Sequence, residues 1–328
     1  MTLMKLAELA GVSVATVSKA FSGSKEIGNT TREHIFALAK EHGCFEKYYK
    51  SPRRRPLIAL IFPEPESEFY GRWMGMLERV LNEHGVDSII AFSRFDPERE
   101  AELFRELAYD MHVDGIILSG SGSLICNRDE IPLRTFSGSS YPNANSDTVR
   151  VDLAGGIRQL LQTVKDYGHT EVGFIGETLT MGKERIFRAA LRKIGLSVQN
   201  DYIVRSEKRF MEAGEDGMRQ LIDRGTLPDV IVAAYDQIAY GAMKYVENQG
   251  YRIPQDLSFV GIDDISPTPY LGIPLSSLHI DFEQVCEQVV ELMLKRIENR
   301  HFREKNEIVV PIQVMIRQSL KNVNEQNG

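Results

Sequence analysis

Apolar positions recur at helical spacing over Leu3–Phe21, and from Leu57 onward the pattern changes to short apolar runs separated by longer amphipathic stretches. In the first segment Leu3, Leu6 and Ala7 share one helical face, with Ala10 a turn further on. Gly11 interrupts the periodicity where a turn between two crossing helices needs positive φ. Ser13 follows as an N-cap, because its hydroxyl can accept from an otherwise orphaned backbone N–H. Val14, Val17 and Phe21 cannot all be solvated, so part of this second helix must pack on the first. Ser13, Ala15, Thr16, Ser18 and Lys19 are left on its outward side. A third helix is predicted after a Thr-x-x-Glu capping box at Thr30-Thr31-Arg32-Glu33, with Ile35, Phe36, Leu38 and Ala39 as its apolar residues.

The remainder alternates strands and helices. Strands are predicted at Leu57–Phe62, Asp87–Phe92, Gly115–Leu118, Leu133–Phe136, Val149–Val151, Val172–Ile175, Tyr202–Val204, Val230–Ala233, Ser258–Gly261 and Ile308–Ile316. Helices are predicted at Phe69–His84, Pro97–Met111, Leu153–Tyr167, Lys183–Ile194, Glu212–Arg224, Gln237–Gln249 and Phe282–Asn299. Such alternation implies right-handed βαβ units and parallel sheets. There are too many units for one comfortable sheet, so two doubly wound subdomains are expected, with the last helix and strand crossing back between them.

Charge separates the same two regions. The chain of 328 residues has a net charge of −7, which by itself argues against nucleic acid. Residues 1–56, however, hold ten Lys and Arg against five carboxylates, a balance of +5, and the rest holds 29 against 41, a balance of −12. A basic head that coincides with a helix-turn-helix suits neutralisation of phosphates. Short outward side chains on the second helix let it approach base edges, offering methyls and hydroxyls. Three scattered cysteines, Cys44, Cys126 and Cys286, suggest neither a disulfide framework nor a zinc knuckle. No apolar run reaches membrane-spanning length and no signal-peptide pattern opens the chain, so no membrane partner and a cytoplasmic location are expected.

The string AELAGVSVATVSKAFSG resembles the headpiece of the lactose-repressor (LacI/GalR) family of bacterial transcription regulators. The body resembles the effector domain of that family, in Val151-Asp152-Leu153-Ala154-Gly155, Tyr167-Gly168-His169, Asp236-Gln237-Ile238-Ala239-Tyr240-Gly241-Ala242, Val260-Gly261-Ile262-Asp263-Asp264 and Ile273-Pro274-Leu275-Ser276-Ser277-Leu278. The resemblance implies a small all-α headpiece over residues 1–46, a linker over 47–56, a core of two α/β subdomains like periplasmic binding proteins over 57–320, and a tail over 321–328. It also implies a homodimer on a double-stranded DNA operator, with affinity modulated by a small-molecule effector, a sugar or related metabolite, and no cofactor. The tail has no leucine heptads, so a coiled-coil tetramer is not expected.

Candidate DNA contacts are Thr2, Ser13, Val14, Ala15, Thr16, Ser18, Lys19 and Ser22. Candidate effector contacts begin with Asp263, which closes an apolar strand where cleft carboxylates meet hydroxyls; in the family the first Asp of this string touches effector. Asp264 suits a turn or cap. Asp236 ends another strand and either binds ligand or caps the helix that follows. Lys183 stands at the family's effector-forking Arg, with Arg185 as a substitute if the register shifts. Lys lacks the planar fork. Phe69, Tyr70 and Phe210 match positions where aromatics stack on effector, whereas Trp73, the only tryptophan, suits a core anchor. Tyr235 replaces the usual small polar residue before the Asp.

The linker departs further. Phe45–Arg55 reads FEKYYKSPRRR, without the leucine and the Ala-Arg string of the family's hinge helix. Prolines flank its arginines, which a helix tolerates poorly. Arg53, Arg54 and Arg55 either lie along an A/T-rich minor groove as an extended arm or form a plain basic linker. Two other functions compete. A ligand-binding protein without DNA activity fits poorly with the basic head, and no hydrolase, nucleotide-binding or metalloprotease motif supports an enzyme. A regulator answering to a protein partner would show an exposed basic patch on the first subdomain.

Overall fold

The computed structural model describes residues 1–24, 26–49, 55–111, 113–119, 147–299 and 306–326. The chain divides into two compact units, Met1–Leu57 and Ile58–Gly328.

The first unit is built on α1 (Leu3–Ala10), α2 (Val14–Phe21) and α3 (Asn29–Glu41), followed by the short α4 (Phe45–Tyr48). Gly11 adopts φ 65°, and the chain re-enters a helix at Ser13, whose Oγ accepts the Thr16 N–H at 3.0 Å. Leu6, Ala7, Val17, Ala20, Phe21, Ile35, Ala39 and Cys44 form the core. Val14 stays outside it, 43% exposed. The capping box does not form. α3 starts at Asn29 with Gly28 as its N-cap and no side-chain cap bond. Arg32 ties down the approach instead, donating to the carbonyls of Ser24 at 2.5 Å and Ile27 at 3.2 Å.

α4 lies across the point where the sequence pattern ends the head. Its reason is aromatic packing: Phe45 stacks on Tyr49 at 4.5 Å, and the rings of Phe45 and Tyr48 lie 6.0 and 5.9 Å from Phe21. Tyr48 also donates its hydroxyl to the Met1 carbonyl at 2.8 Å. Arg53 and Arg54 lie outside the described residues; Arg55 is half-buried.

The second unit opens with β1 (Leu57–Phe62), α5 (Glu68–Glu83), β2 (Asp87–Phe92), α6 (Pro97–Arg105) and β3 (Gly115–Leu118). Asp96 caps α6, accepting the Glu98 N–H at 2.9 Å. The predicted helix to Met111 changes character at Glu106–Asp110, a wider turn in which the Met111 N–H returns to Glu106. These strands form a sheet in the order β2-β1-β3. The predicted strand Leu133–Phe136 lies outside the described residues.

β4 (Thr148–Val151) and α7 (Leu153–Asp166) lead into β5 (Val172–Glu177), α8 (Met181–Ile194), β6 (Ile203–Ser206), α9 (Phe210–Asp223), β7 (Val230–Ala233), α10 (Asp236–Asn248) and β8 (Ser258–Asp263). Then come β9 (Ser276–His279), α11 (Phe282–Glu298), β10 (Glu307–Val310) and β11 (Gln313–Met315). The large sheet runs β11-β9-β8-β7-β5-β6, parallel except for β11. β9 was not predicted as a strand: its Ser-Ser-Leu-His has only one large apolar residue. The single strand predicted at Ile308–Ile316 divides around Pro311. β10 pairs with β4 and β11 pairs antiparallel with β9, so the chain does cross between sheets here.

Glycine permits a close crossing of α9 and α10. A Cβ on Gly214 would sit 1.9 Å from the Ile238 carbonyl oxygen, and one on Gly241 would sit 1.9 Å from that of Met211. Both helices therefore begin close together, one at Phe210 and the other just after Tyr235.

Candidate functional site

Strand order marks where a ligand can enter this body. In open α/β sheets the crevice forms beyond the carboxyl ends of strands, where the winding reverses. The large sheet reverses between β5 and β7, and the smaller one between β1 and β3. Glu177 is the last residue of β5, Tyr235 follows β7 by two residues, and Glu64 follows β1 by two. All three belong to one hydrogen-bonded group.

Arg209, the residue before α9, holds that group together. Its Nη1 and Nη2 donate to the two carboxylate oxygens of Glu64 at 2.6 and 2.7 Å, a bidentate pair joining the start of α9 to the segment after β1. Its Nε lies 3.3 Å from Glu177 Oε2. Glu177 Oε1 accepts the Tyr235 hydroxyl at 2.9 Å, and that hydroxyl oxygen accepts the Phe210 N–H at 2.9 Å. Burial pushes the Tyr235 phenol up, so it remains a proton donor. The guanidinium is flanked by the rings of Phe210 at 4.5 Å and Phe95 at 5.5 Å. Phe95 in turn meets Tyr70 at 6.2 Å. The two carboxylates are 4% and 3% exposed.

A second polar pair lies behind. Lys183 Nζ donates to the Ala234 carbonyl at 2.8 Å and to Asp263 Oδ1 at 3.2 Å, 5.9 Å from the centre of the Tyr235 ring. Asp263 is 4% exposed, and its Oδ2 accepts from no described residue. Burial raises its pKa against the opposing pull of Lys183. The backbone is strained at several of these positions: φ is 101° at Asp263, 54° at Phe210 and 60° at Phe95. Non-glycine residues persist in that region only where surrounding structure enforces it, and such positions cluster at functional sites.

Lys183, Phe210, Tyr235 and Asp263 are thus brought together, and Tyr70 borders them. The other candidates are not. Phe69 packs inward against Trp73 at 6.0 Å and Phe282 at 5.3 Å. Arg185 is exposed, because two residues on from Lys183 a helix points elsewhere. Asp236 neither caps α10 nor reaches the cleft. It is the first residue of the helix, 1% exposed, and accepts from Ser277, Ile265 and Thr268. Asp264 is held by His279 at 2.9 Å and Arg317 at 3.1 Å. Trp73 is a buried core residue against Phe62. The sequence reading passed over Glu64, Glu177 and Arg209, although the strand-end rule that picks out Asp263 would also have reached the two glutamates. A separate concavity of about 690 Å³ runs along α7 beside Ile194 and Pro311 and lacks these buried carboxylates and aromatic faces.

In the first unit Thr2 and Ser13 are used as N-caps, with Ser13 Oγ also 2.9 Å from Thr16 Oγ1. Val14, Ala15, Ser18, Lys19 and Ser22 are exposed along α2 and its end, a face of short side chains apart from Val14 and Lys19. Lys19 is paired with Glu26 at 2.5 Å.

Comparison with known proteins agrees with both units. Residues 2–44 match the family described as bacterial regulatory proteins, lacI family, and residues 161–320 match the periplasmic binding protein-like domain. The HTH-type transcriptional regulator DegA of Bacillus subtilis is 28% identical, over 98% of this chain and 99% of its own. A solved transcriptional regulator CelR–cellobiose complex is 26% identical with TM-score 0.68, over 97% of this chain and 99% of its own. The lac repressor dimer bound to operator and the anti-inducer ONPF has the same fold at 19% identity, TM-score 0.73, over 98% and 99% of the two chains. With a helix-turn-helix of this sequence before an α/β body of this topology, the chain belongs to the lacI family of bacterial transcription regulators, DNA-binding proteins modulated by a ligand.

Proposed function

We propose that this chain is a repressor that acts without catalysis, as a cytoplasmic homodimer. Two headpieces would read a pseudo-palindromic operator through Val14, Ala15, Thr16, Ser18, Lys19 and Ser22 on each α2. A small hydroxyl-rich effector, a sugar or related metabolite, would bind between the two halves of the body and shift their closure. The observation that carries the effector reading is Asp263: a buried carboxylate with a left-handed backbone and one oxygen free to accept, at the end of a strand and close to Tyr70, Tyr235 and Lys183. The cellobiose complex of CelR supports a saccharide, and the lac repressor dimer on its operator supports the assembly. Among the described residues no helix is long and apolar enough to cross a membrane.

Arg53, Arg54 and Arg55 would add an extended minor-groove arm in place of a hinge helix. Footprinting checks this: no minor-groove protection, together with an unchanged salt slope for Arg54→Ala, would remove the arm. The alternative of a protein co-regulator gains no support from the first half of the body. There Arg79 pairs with Glu83 and Glu283, Arg94 with Glu66, and Arg99 with Glu102, so these cations are balanced on the surface.

The decisive experiment is a thermal-shift screen of sugars and nucleosides on the full chain, repeated on Asp263→Ala. A ligand that binds the folded state stabilises it by mass action. A sugar that raises Tm in the parent and not in the variant, and that changes operator affinity, supports the reading. A hit that Asp263→Ala leaves unchanged removes Asp263 from the site.

A further inference from the structure

We propose that the Glu64–Arg209 ion pair sets the charge of the effector: the cleft admits a neutral or cationic hydroxyl-bearing molecule and refuses one carrying phosphate or carboxylate. This rests on the reading of the same cleft as the effector site.

Anion recognition needs uncompensated positive charge, and Arg209, Lys183 and Arg317 here each face a protein carboxylate. Arg209 is the group best suited to fork onto an anion, yet each of its three nitrogens faces a protein carboxylate. Two contact Glu64 and one contacts Glu177. Its guanidinium is flanked by Phe210 and Phe95. To turn toward an incoming phosphate it would have to abandon Glu64, leaving a buried carboxylate without its counter-charge. Lys183 is shared between the Ala234 carbonyl and Asp263. Arg72 donates to the Asp264 carbonyl at 2.9 Å and lies over the Phe282 ring. Arg317 is held by Asp264 and the Leu275 carbonyl.

The unused capacity is of the opposite kind. Asp263 is a buried residue whose Oδ2 accepts from no described residue. Paired through Oδ1 with the Lys183 ammonium, this carboxylate offers an acceptor, and the natural partner of an acceptor is a hydroxyl or an ammonium group. The rings of Tyr70 and Tyr235 near it suit the apolar face of a sugar ring. Glu64 is therefore a specificity-determining residue that acts by neutralising Arg209.

Inorganic phosphate is the probe, added to the full chain at ionic strength matched with sodium chloride. Tm and the fluorescence of the single Trp73 are the readouts. The headpiece also attracts phosphate, so the cleft component is defined as the part abolished by Arg209→Ala. In the parent chain that component is expected to be absent. Glu64→Ala is expected to gain it, with apparent affinity at least about tenfold above the parent, and Glu64→Ala/Arg209→Ala to lose it again. Glu64→Gln replaces Glu64→Ala if the latter does not unfold cooperatively. Saturable phosphate binding by the parent that Arg209→Ala abolishes overturns the proposal. So does a folded Glu64 variant that gains no phosphate. No arm uses a sugar, so these outcomes are separate from the sugar screen: absence of any sugar response counts against the effector reading, and phosphate captured through Arg209 in the parent counts against this one alone.

Discussion

Ser277 Oγ donates to Asp236 Oδ1 at 2.6 Å, joining residues 41 positions apart. The other oxygen of Asp236 accepts the Ile265 N–H at 2.8 Å and the Thr268 hydroxyl at 3.1 Å. One buried carboxyl thus fixes the start of α10, the segment after β8 and the strand β9. Asp236→Ala leaves three buried donors without their acceptor, and each such loss costs about 1–3 kcal/mol. A fall of stability of at least about 2 kcal/mol is expected in urea unfolding. A change below about 0.5 kcal/mol would show that water replaces the carboxyl without loss.

The same residue predicts a pH dependence. Burial, aided by the charge of Asp263, raises the Asp236 pKa to about 8. The folded state then keeps a proton that the unfolded chain releases near about pH 4. Stability contributed by this group is full below the unfolded value and falls as pH rises from about 4 to about 8. Asp263 is shifted in the same direction. Asp236→Asn, which can place its amide nitrogen toward Ser277, should flatten that decline. Thermal melts of parent and variant at pH values across the window test it, and parallel curves would refute it.

Arg296 and Asp147 form a buried ion pair between α11 and the start of β4, with Nε and Nη2 donating at 3.0 and 2.8 Å and side chains 6% and 3% exposed. Asp147 also accepts the Asn306 N–H at 2.9 Å. Removing one partner strands the other charge, so Arg296→Met should destabilise by about 3–5 kcal/mol. Differential scanning calorimetry measures it. A loss under about 1 kcal/mol would mean that the carboxylate finds water or another donor.

Gly241→Ala drives a methyl into the Met211 backbone, next to Phe210. α9 must move away from α10, carrying the aromatic that flanks Arg209. The expected result is a folded protein with lower Tm and weaker binding of any effector that the Asp263 screen identifies. Unchanged Tm and affinity would show that the helices separate freely.

In the headpiece, Lys19 is divided between Glu26 and any approaching phosphate. Lys19→Ala should weaken operator binding and lower the salt slope by about 1. Glu26→Gln should strengthen binding by releasing the ammonium. Fluorescence anisotropy titrations at several salt concentrations give both, and a Glu26→Gln variant that binds more weakly would contradict this competition.

The headpiece was legible because its determinants are local: Gly11 supplies the turn, Ser13 the cap, and the spacing of Leu6, Ala7, Val17 and Phe21 the core. Asp263 was legible for a related reason, since a polar residue ending an apolar run marks the open end of a strand. The alternation of strands and helices likewise dictated parallel sheets and their helical covers. Glu64 and Arg209 are 145 residues apart, and nothing near either one announces the other. β9 and the split around Pro311 depend on which sheet has an open edge. The fate of Asp236 depends on Ser277 and Thr268 arriving from later in the chain. Periodicity and turn chemistry act over a few residues and are written in the sequence. Pairing of buried charges is decided only when distant segments exclude water together, and so belongs to the tertiary structure.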